Sequence, residues 1–201
     1  MKSKTFHRRN LPHLYYREGV YFITFRLAGT IPLSVLEEFQ KELNKYDKDD
    51  LDLRQKRFFK KYDDYLDNSL HGENYLINDK FACEVKICLN FPDGKDYFLI
   101  CYCVMPNHVH LVFRLLKENK GISKIMQSIK RISALGCNQL LNREGKFWQD
   151  ESFDRLVRSD LELYNIINYV INNPVKAGLV DDWRKWPHTY LAREYQWNET
   201  P

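Results

Sequence analysis

A chain of 201 residues has room for one domain with a sizeable core and an inserted subdomain. Its hydrophobic fraction of 44% and aromatic content of 14% exclude a disordered protein, and no apolar run is long enough for a membrane-spanning helix, so no membrane partner is expected. A formal charge of +4 permits a nucleic-acid partner without demanding one, so the position of the basic residues carries more information than their number.

Residues 1–19 form a basic arm in which Arg8, Arg9, His13 and Arg17 alternate with Leu14, Tyr15 and Tyr16. A solvated tail and an arm lying on nucleic acid both fit that pattern. Tyr21–Leu27 is dense in aromatic and β-branched residues and predicts a strand stopped by Gly29. Pro32 stands where a helix begins, and Val35, Leu36, Phe39 and Leu43 follow at helical spacing. In the segment 48–70 charges of both signs surround Phe58, Phe59, Tyr62 and Tyr65. That composition predicts an inserted, solvent-facing helix with one aromatic stripe and no catalytic role. Asn78 or Asp79 caps the next helix, which runs through Phe81, Val85, Cys88 and Leu89. After the Pro92-Asp93-Gly94 turn, Tyr97–Val104 is apolar on both alternations, as in a central strand.

Met105-Pro106-Asn107 turns the chain into an antiparallel neighbour, His108–Leu115. Strand side chains alternate, so His108 and His110 share one face and Val109 and Leu111 the other. Two adjacent imidazoles can ligate one divalent metal, although a bare His-x-His is also compatible with surface or satisfied core histidines. Beyond it, Gly121-Ile122-Ser123 opens a helix with Ile125, Met126, Ile129, Ile132 and Leu135 as its buried stripe and Lys124, Lys130 and Arg131 on its exposed sides. Phe153–Arg158 has the alternation of a short strand. Ser159-Asp160-Leu161-Glu162 is a capping box, Leu163, Ile166, Ile167, Val170 and Ile171 face a core, and Pro174 and Gly178 end that helix. The aromatic tail, 181–201, is expected to pack back on the body. Five cysteines without zinc-finger spacing, and no apolar leader, point to packing thiols in a reducing cytoplasm. The succession strand, helix, strand, strand, helix, strand, helix predicts an α+β chain: a ferredoxin-like sandwich with an antiparallel sheet and a helical insertion in its first crossover.

Tyr169 and Asn173 stand four residues apart on the last helix and share a face, with Glu162 and Asn165 on the same side. A tyrosine near a metal is a candidate nucleophile and an asparagine carbonyl a good ligand for a hard cation. Spacing alone equally allows an ordinary half-buried tyrosine.

The run Tyr102–Val112, holding His108 and His110, resembles the metal motif of the HUH single-strand transposases. Downstream follow Met126–Arg131, Trp148-Gln149, Asp154-Arg155 with Arg158, and then Tyr169–Val180. With Arg9–His13 and the Tyr21–Phe25 strand, that succession is similar to the REP-associated tyrosine transposase branch over nearly the whole chain except the insertion. The resemblance implies a ferredoxin-like core acting on single-stranded or hairpin DNA, as monomer or homodimer, in the cytoplasm and on the nucleoid when bound. It implies Mg²⁺ or Mn²⁺ held by His108, His110 and Asn173, where relatives often use glutamine, and Tyr169 as nucleophile. Tyr164 is the fallback, since Ile132-Ser133-Ala134 stands where relatives often carry another tyrosine. Lys130 and Arg131, the Trp148–Arg158 stretch (Trp148, Arg155, Arg158) and the arm (Arg8, Arg9, His13) would contact DNA. The implied reaction is endonuclease and strand transfer through a 5′-phosphotyrosine link. Two rivals predict other outcomes: a non-catalytic nucleic-acid-binding module on the same fold, and a water-activating metallohydrolase that needs no tyrosine.

Overall fold

The computed structural model describes residues 5–8, 12–15, 18–43, 51–68 and 72–196. Strands β1 (Thr5–Arg8) and β2 (Pro12–Tyr15) pair antiparallel within the N-terminal arm. The main sheet contains β3 (Val20–Arg26), β4 (Tyr97–Val104), β5 (His108–Leu115), β6 (Phe153–Val157) and β7 (Thr189–Leu191). Its order is β6-β3-β5-β4-β7, and every pairing is antiparallel. The helices are α1 (Leu33–Leu43), α2 (Leu51–Asn68), α3 (Asp79–Asn90), α4 (Ile122–Leu140) and α5 (Asp160–Lys176). Without β1, β2, α1, α2, α5 and β7, the order β3-α3-β4-β5-α4-β6 is the split βαβ pair of a ferredoxin-like fold. Helices α1 and α2 both lengthen the first crossover; the composition break predicts α2.

Alternation along the strands gives the sheet two buried faces. On one, Tyr21, Ile23 and Phe25 of β3 and Val109, Leu111 and Phe113 of β5 meet Val85 and Leu89 of α3 and Ile125 and Ile129 of α4. On the other, Phe22 and Val112 meet Phe58, Tyr62 and Leu66 of α2 and Leu163, Ile167 and Val170 of α5. A bulge between Leu99 and Cys101 shifts the phase of β4, so that Leu99 and Tyr102 both face α3. All five cysteines are free thiols, and four of them are buried.

Three local expectations need correction. Helix α2 is not solvent-facing all round: Phe58, Tyr62 and Leu66, together with Asp63 and Asp67, are buried against the sheet and α5. The stripe of α4 runs Ile125, Ile129, Ser133, Cys137, one i+4 row, which leaves Ile132 and Leu135 exposed. Helix α5 passes through Pro174 and ends at Lys176. Proline fits helical φ, and the true stop is a Schellman turn around Gly178, at φ +70°, with Leu179 N–H donating to Pro174 O at 2.9 Å and Gly178 N–H to Val175 O at 3.0 Å.

Candidate active site

The site lies on the α2/α5 face of the sheet, at the start of β5. Register sets Thr24 opposite His110 on one side and Cys103 opposite it on the other. Both histidines are buried, with Nε2 atoms 3.0 Å apart. Their outer nitrogens are anchored. His108 Nδ1 lies 2.6 Å from Asn107 Oδ1, and Asn107 Nδ2 donates to Leu66 O at 3.1 Å, so the Asn107 oxygen faces the ring and takes an Nδ1–H. His110 Nδ1 lies 2.8 Å from Thr24 Oγ1, which can take its proton in the same way. Both Nε2 lone pairs are then directed at one place.

Helix α5 delivers the tyrosine. Ser159 Oγ accepts the Glu162 N–H at 3.1 Å, as the capping box predicts, and with the Schellman turn this fixes the helix at both ends. Tyr169 packs edge-on to Phe22, Phe59 and His110, its ring centroid 5.5 Å from that of His110. One turn on, Asn173 is fully buried and donates from Nδ2 to the Tyr169 hydroxyl at 3.3 Å, while its Oδ1 accepts no hydrogen bond. The fallback Tyr164, about 140° round the helix from Tyr169, lines a separate groove with Trp183 and Tyr195.

Helix α2 delivers what the sequence reading missed. The Tyr169 hydroxyl donates to Asp63 Oδ2, and Asp63 Oδ1 lies 3.2 Å from His110 Nε2. Asp67 Oδ1 lies 3.9 Å from His108 Nε2. Lys176, on α5, bridges the helices, its Nζ at 3.3, 2.9 and 2.9 Å from carboxylate oxygens of Asp63, Asp64 and Asp67. Burial pushes the Asp63 carboxyl up, but His110, His108 and Lys176 together hold it below the usual carboxylate range. Burial and the neighbouring Asp63 charge raise Asp67. Burial and His110 depress His108 to about 3, against the pull of Asp63, so its imidazole is neutral and competent as a ligand. A signal for these carboxylates exists in the sequence: Phe59, Tyr62, Asp63, Leu66 and Asp67 fall at i, i+3, i+4, i+7 and i+8, so two acids interrupt one apolar stripe.

The donor set fits a divalent cation. Ligand atoms of Asp63, His108 and His110 lie within 4.8 Å of one another and all three residues are buried. Asp63 Oδ1, Asp67 Oδ1 and Asn173 Oδ1 are buried oxygens without hydrogen-bond partners, as oxygens reserved for a metal would be.

The residues expected to contact DNA are dispersed. Lys130 Nζ donates to Gln149 O, Asp150 O and Ser152 Oγ, tying α4 to the segment before β6, and burial lowers its pKa to about 8. Trp148 is buried, donates from Nε1 to Ser133 Oγ at 2.9 Å and packs on Phe25. Arg155 is buried and pairs with Glu162, its Nε 2.7 Å from Oε1. Arg131 and Arg158 are exposed. Arg9 and the side chains of Arg8 and His13 lie outside the described residues.

The profile of the family described as Transposase IS200 like matches residues 73–173. The chain is 26% identical over 127 residues to a REP-associated tyrosine transposase of Haemophilus influenzae, across 59% of this chain and 70% of the relative. It is also 26% identical over 127 residues to the REP-associated tyrosine transposase of Escherichia coli, across 63% of this chain and 74% of that one. A solved REP-associated tyrosine transposase bound to a REP hairpin superposes with a TM-score of 0.54 at 17% identity, covering 91% of this chain and 80% of that chain, which supports the shared fold. The chain belongs to the IS200-like transposase family of the HUH superfamily and is homologous to its REP-associated tyrosine transposases.

Proposed function

We propose that the protein cleaves and rejoins single-stranded or hairpin DNA through a covalent tyrosine link, with Mg²⁺ or Mn²⁺ as its cofactor. The observation that carries this reading is the meeting of Tyr169 with the His108/His110 pair in one buried site, from elements distant in sequence. The solved REP-associated tyrosine transposase bound to a REP hairpin brings hairpin DNA forward as the substrate class. His108 and His110 act as ligands, and the buried Oδ1 of Asn173 is a further oxygen for the same ion. When bound, the ion supplies a Lewis acid that polarises the scissile phosphate.

The chain's own groups do the rest. Phe22 and Phe59 hold the Tyr169 ring, and Asn173 Nδ2 directs its hydroxyl. The hydroxyl proton passes to Asp63 Oδ2, a base for the tyrosine that the sequence left unnamed. The phenolic oxygen attacks phosphorus in line, and the bond to the 3′ oxygen breaks. That oxygen takes a proton from water and leaves as a 3′-OH, while the 5′-phosphate remains on Tyr169. Attack by a 3′-OH on the phosphotyrosine reverses the step and joins strands. Arg131, Arg158 and the N-terminal arm are the DNA-contacting groups of this reading.

The test incubates end-labelled hairpin DNA, drawn from repeats flanking the gene, with Mg²⁺ or Mn²⁺ and either wild-type protein or Tyr169→Phe. A denaturation-resistant protein–DNA adduct is expected with wild type and none with Tyr169→Phe or with chelator. Cleavage that survives Tyr169→Phe without an adduct would replace this reading by a metallohydrolase. Tight binding with neither product would replace it by a binding module.

A further inference from the structure

Helix α2 lies outside the ferredoxin-like core, yet it reaches the centre of the site. Its apolar stripe is anchored on the sheet by Phe58, Tyr62 and Leu66, and the Leu66 carbonyl holds the Asn107 amide that orients His108. The side chain between those anchors, Asp63, is 1% exposed and presents its two oxygens to two different groups. Oδ2 accepts from the Tyr169 hydroxyl, and Oδ1 faces His110 Nε2 at 3.2 Å.

We propose that Asp63 is a metal ligand supplied by the insertion: Oδ1 completes the cation site with His108 and His110, and Oδ2 holds the Tyr169 hydroxyl beside it. The proposal rests on the reading of the histidine pair as a metal site. Metal–donor bonds of about 2.1 Å put neighbouring donors about 3.0–3.4 Å apart. The separations here are 3.0 Å between the two Nε2 atoms and 3.2 Å from His110 Nε2 to Asp63 Oδ1. Oδ1 is buried and faces His110 Nε2; with the His110 proton on Nδ1, opposite Thr24, two lone pairs meet there, an arrangement that is costly until a cation lies between them. Charge points the same way. Asp63 and Asp67 are both buried, and the lysine that bridges them, Lys176, has a side chain 45% exposed and is shared with Asp64. Two buried carboxylates opposite two imidazoles leave room for a divalent positive charge. One carboxylate thereby joins ion and nucleophile, and the insertion becomes part of the catalytic apparatus.

The experiment needs no DNA. Mn²⁺ is titrated calorimetrically, and Co²⁺ by visible absorption, into full-length wild type, Asp63→Ala, Asp63→Asn and His108→Ala, with circular dichroism as the check on folding. Loss of a ligand is expected to weaken Mn²⁺ binding at least ~10-fold in both Asp63 variants and to change the Co²⁺ spectrum. Asp63→Asn keeps the side-chain shape and can still accept from Tyr169, so it decides the matter if Asp63→Ala does not fold. Wild-type affinity and spectrum in a folded Asp63 variant, with binding lost in His108→Ala, would overturn the proposal and leave Asp63 as the tyrosine's hydrogen-bond partner alone. Unchanged binding in His108→Ala would overturn the histidine metal site itself, and this proposal with it.

Discussion

Thr24 and Asn107 show how much of a two-histidine site is decided by the residues behind the imidazoles. Each faces the outer nitrogen of one imidazole, and a proton held there leaves the inner nitrogen as a lone-pair donor. Thr24→Val keeps the shape and deletes the oxygen, so His110 loses its tautomer anchor. Mn²⁺ affinity is expected to fall ~10–100-fold with the fold intact, as read by calorimetric titration. The His-x-His pair itself was legible, because alternation on a strand is a local rule. Thr24 was not, since its role depends on the β3–β5 register. Trp148 and Lys130 teach the converse. An aromatic and a cation in a basic, aromatic segment read as DNA contacts in one dimension, and that pattern does not show the hydrogen bonds they make to Ser133 and to the chain at 149–152.

Helix α5 was legible in outline because its start and stop are written in local chemistry. Ser159 and Glu162 announce the first turn, and Gly178 supplies the left-handed residue at the last. Gly178→Ala must place a Cβ at φ +70°, at a cost of about 1–2 kcal/mol. The expected result is a lower denaturant midpoint at unchanged m-value. Helix α2 was legible as a helix but not as a wall of the site. The acids at 63 and 67 interrupt the apolar stripe, but that pattern does not name what they meet, because their partners are on β5 and α5. The exposed Ile132 and Leu135 of α4 have the same origin: the apolar pattern marks a wide stripe, and only packing against α3 and the sheet selects the row that is buried.

At the scale of the molecule, the C-terminal segment closes the β4 edge of the sheet. Trp186 Nε1 donates to Val104 O at 2.9 Å, Val104 N–H to His188 O at 2.9 Å, and Ala192 N–H to Ile100 O at 2.8 Å. The expectation that this tail packs on the body holds through Gln196, and the remainder lies outside the described residues. His188 is buried in that seam; burial and Lys86 lower its pKa, against the opposing charge of Asp79 at 3.2 Å. A histidine whose folded pKa is depressed binds its proton more readily when unfolded, so its contribution is present above about pH 6.5 and lost as pH falls below it. The melting temperature of the metal-free protein is expected to drop between about pH 7.5 and 5.5, and His188→Gln to drop less over the same range.

The position of β5 has a last consequence. It is the middle strand of five, hydrogen-bonded to β3 along one side and β4 along the other. A slip of one residue on either side would turn both imidazoles away from α5 and put Val109 and Leu111 in their place. Misfolded molecules of that kind would hold neither ion nor tyrosine contact, so a partly active, mis-threaded form has no place in this architecture. On the proposed reading of the site, the fraction of a mixed preparation able to bind Mn²⁺ at saturating concentration is expected to count the correctly threaded molecules.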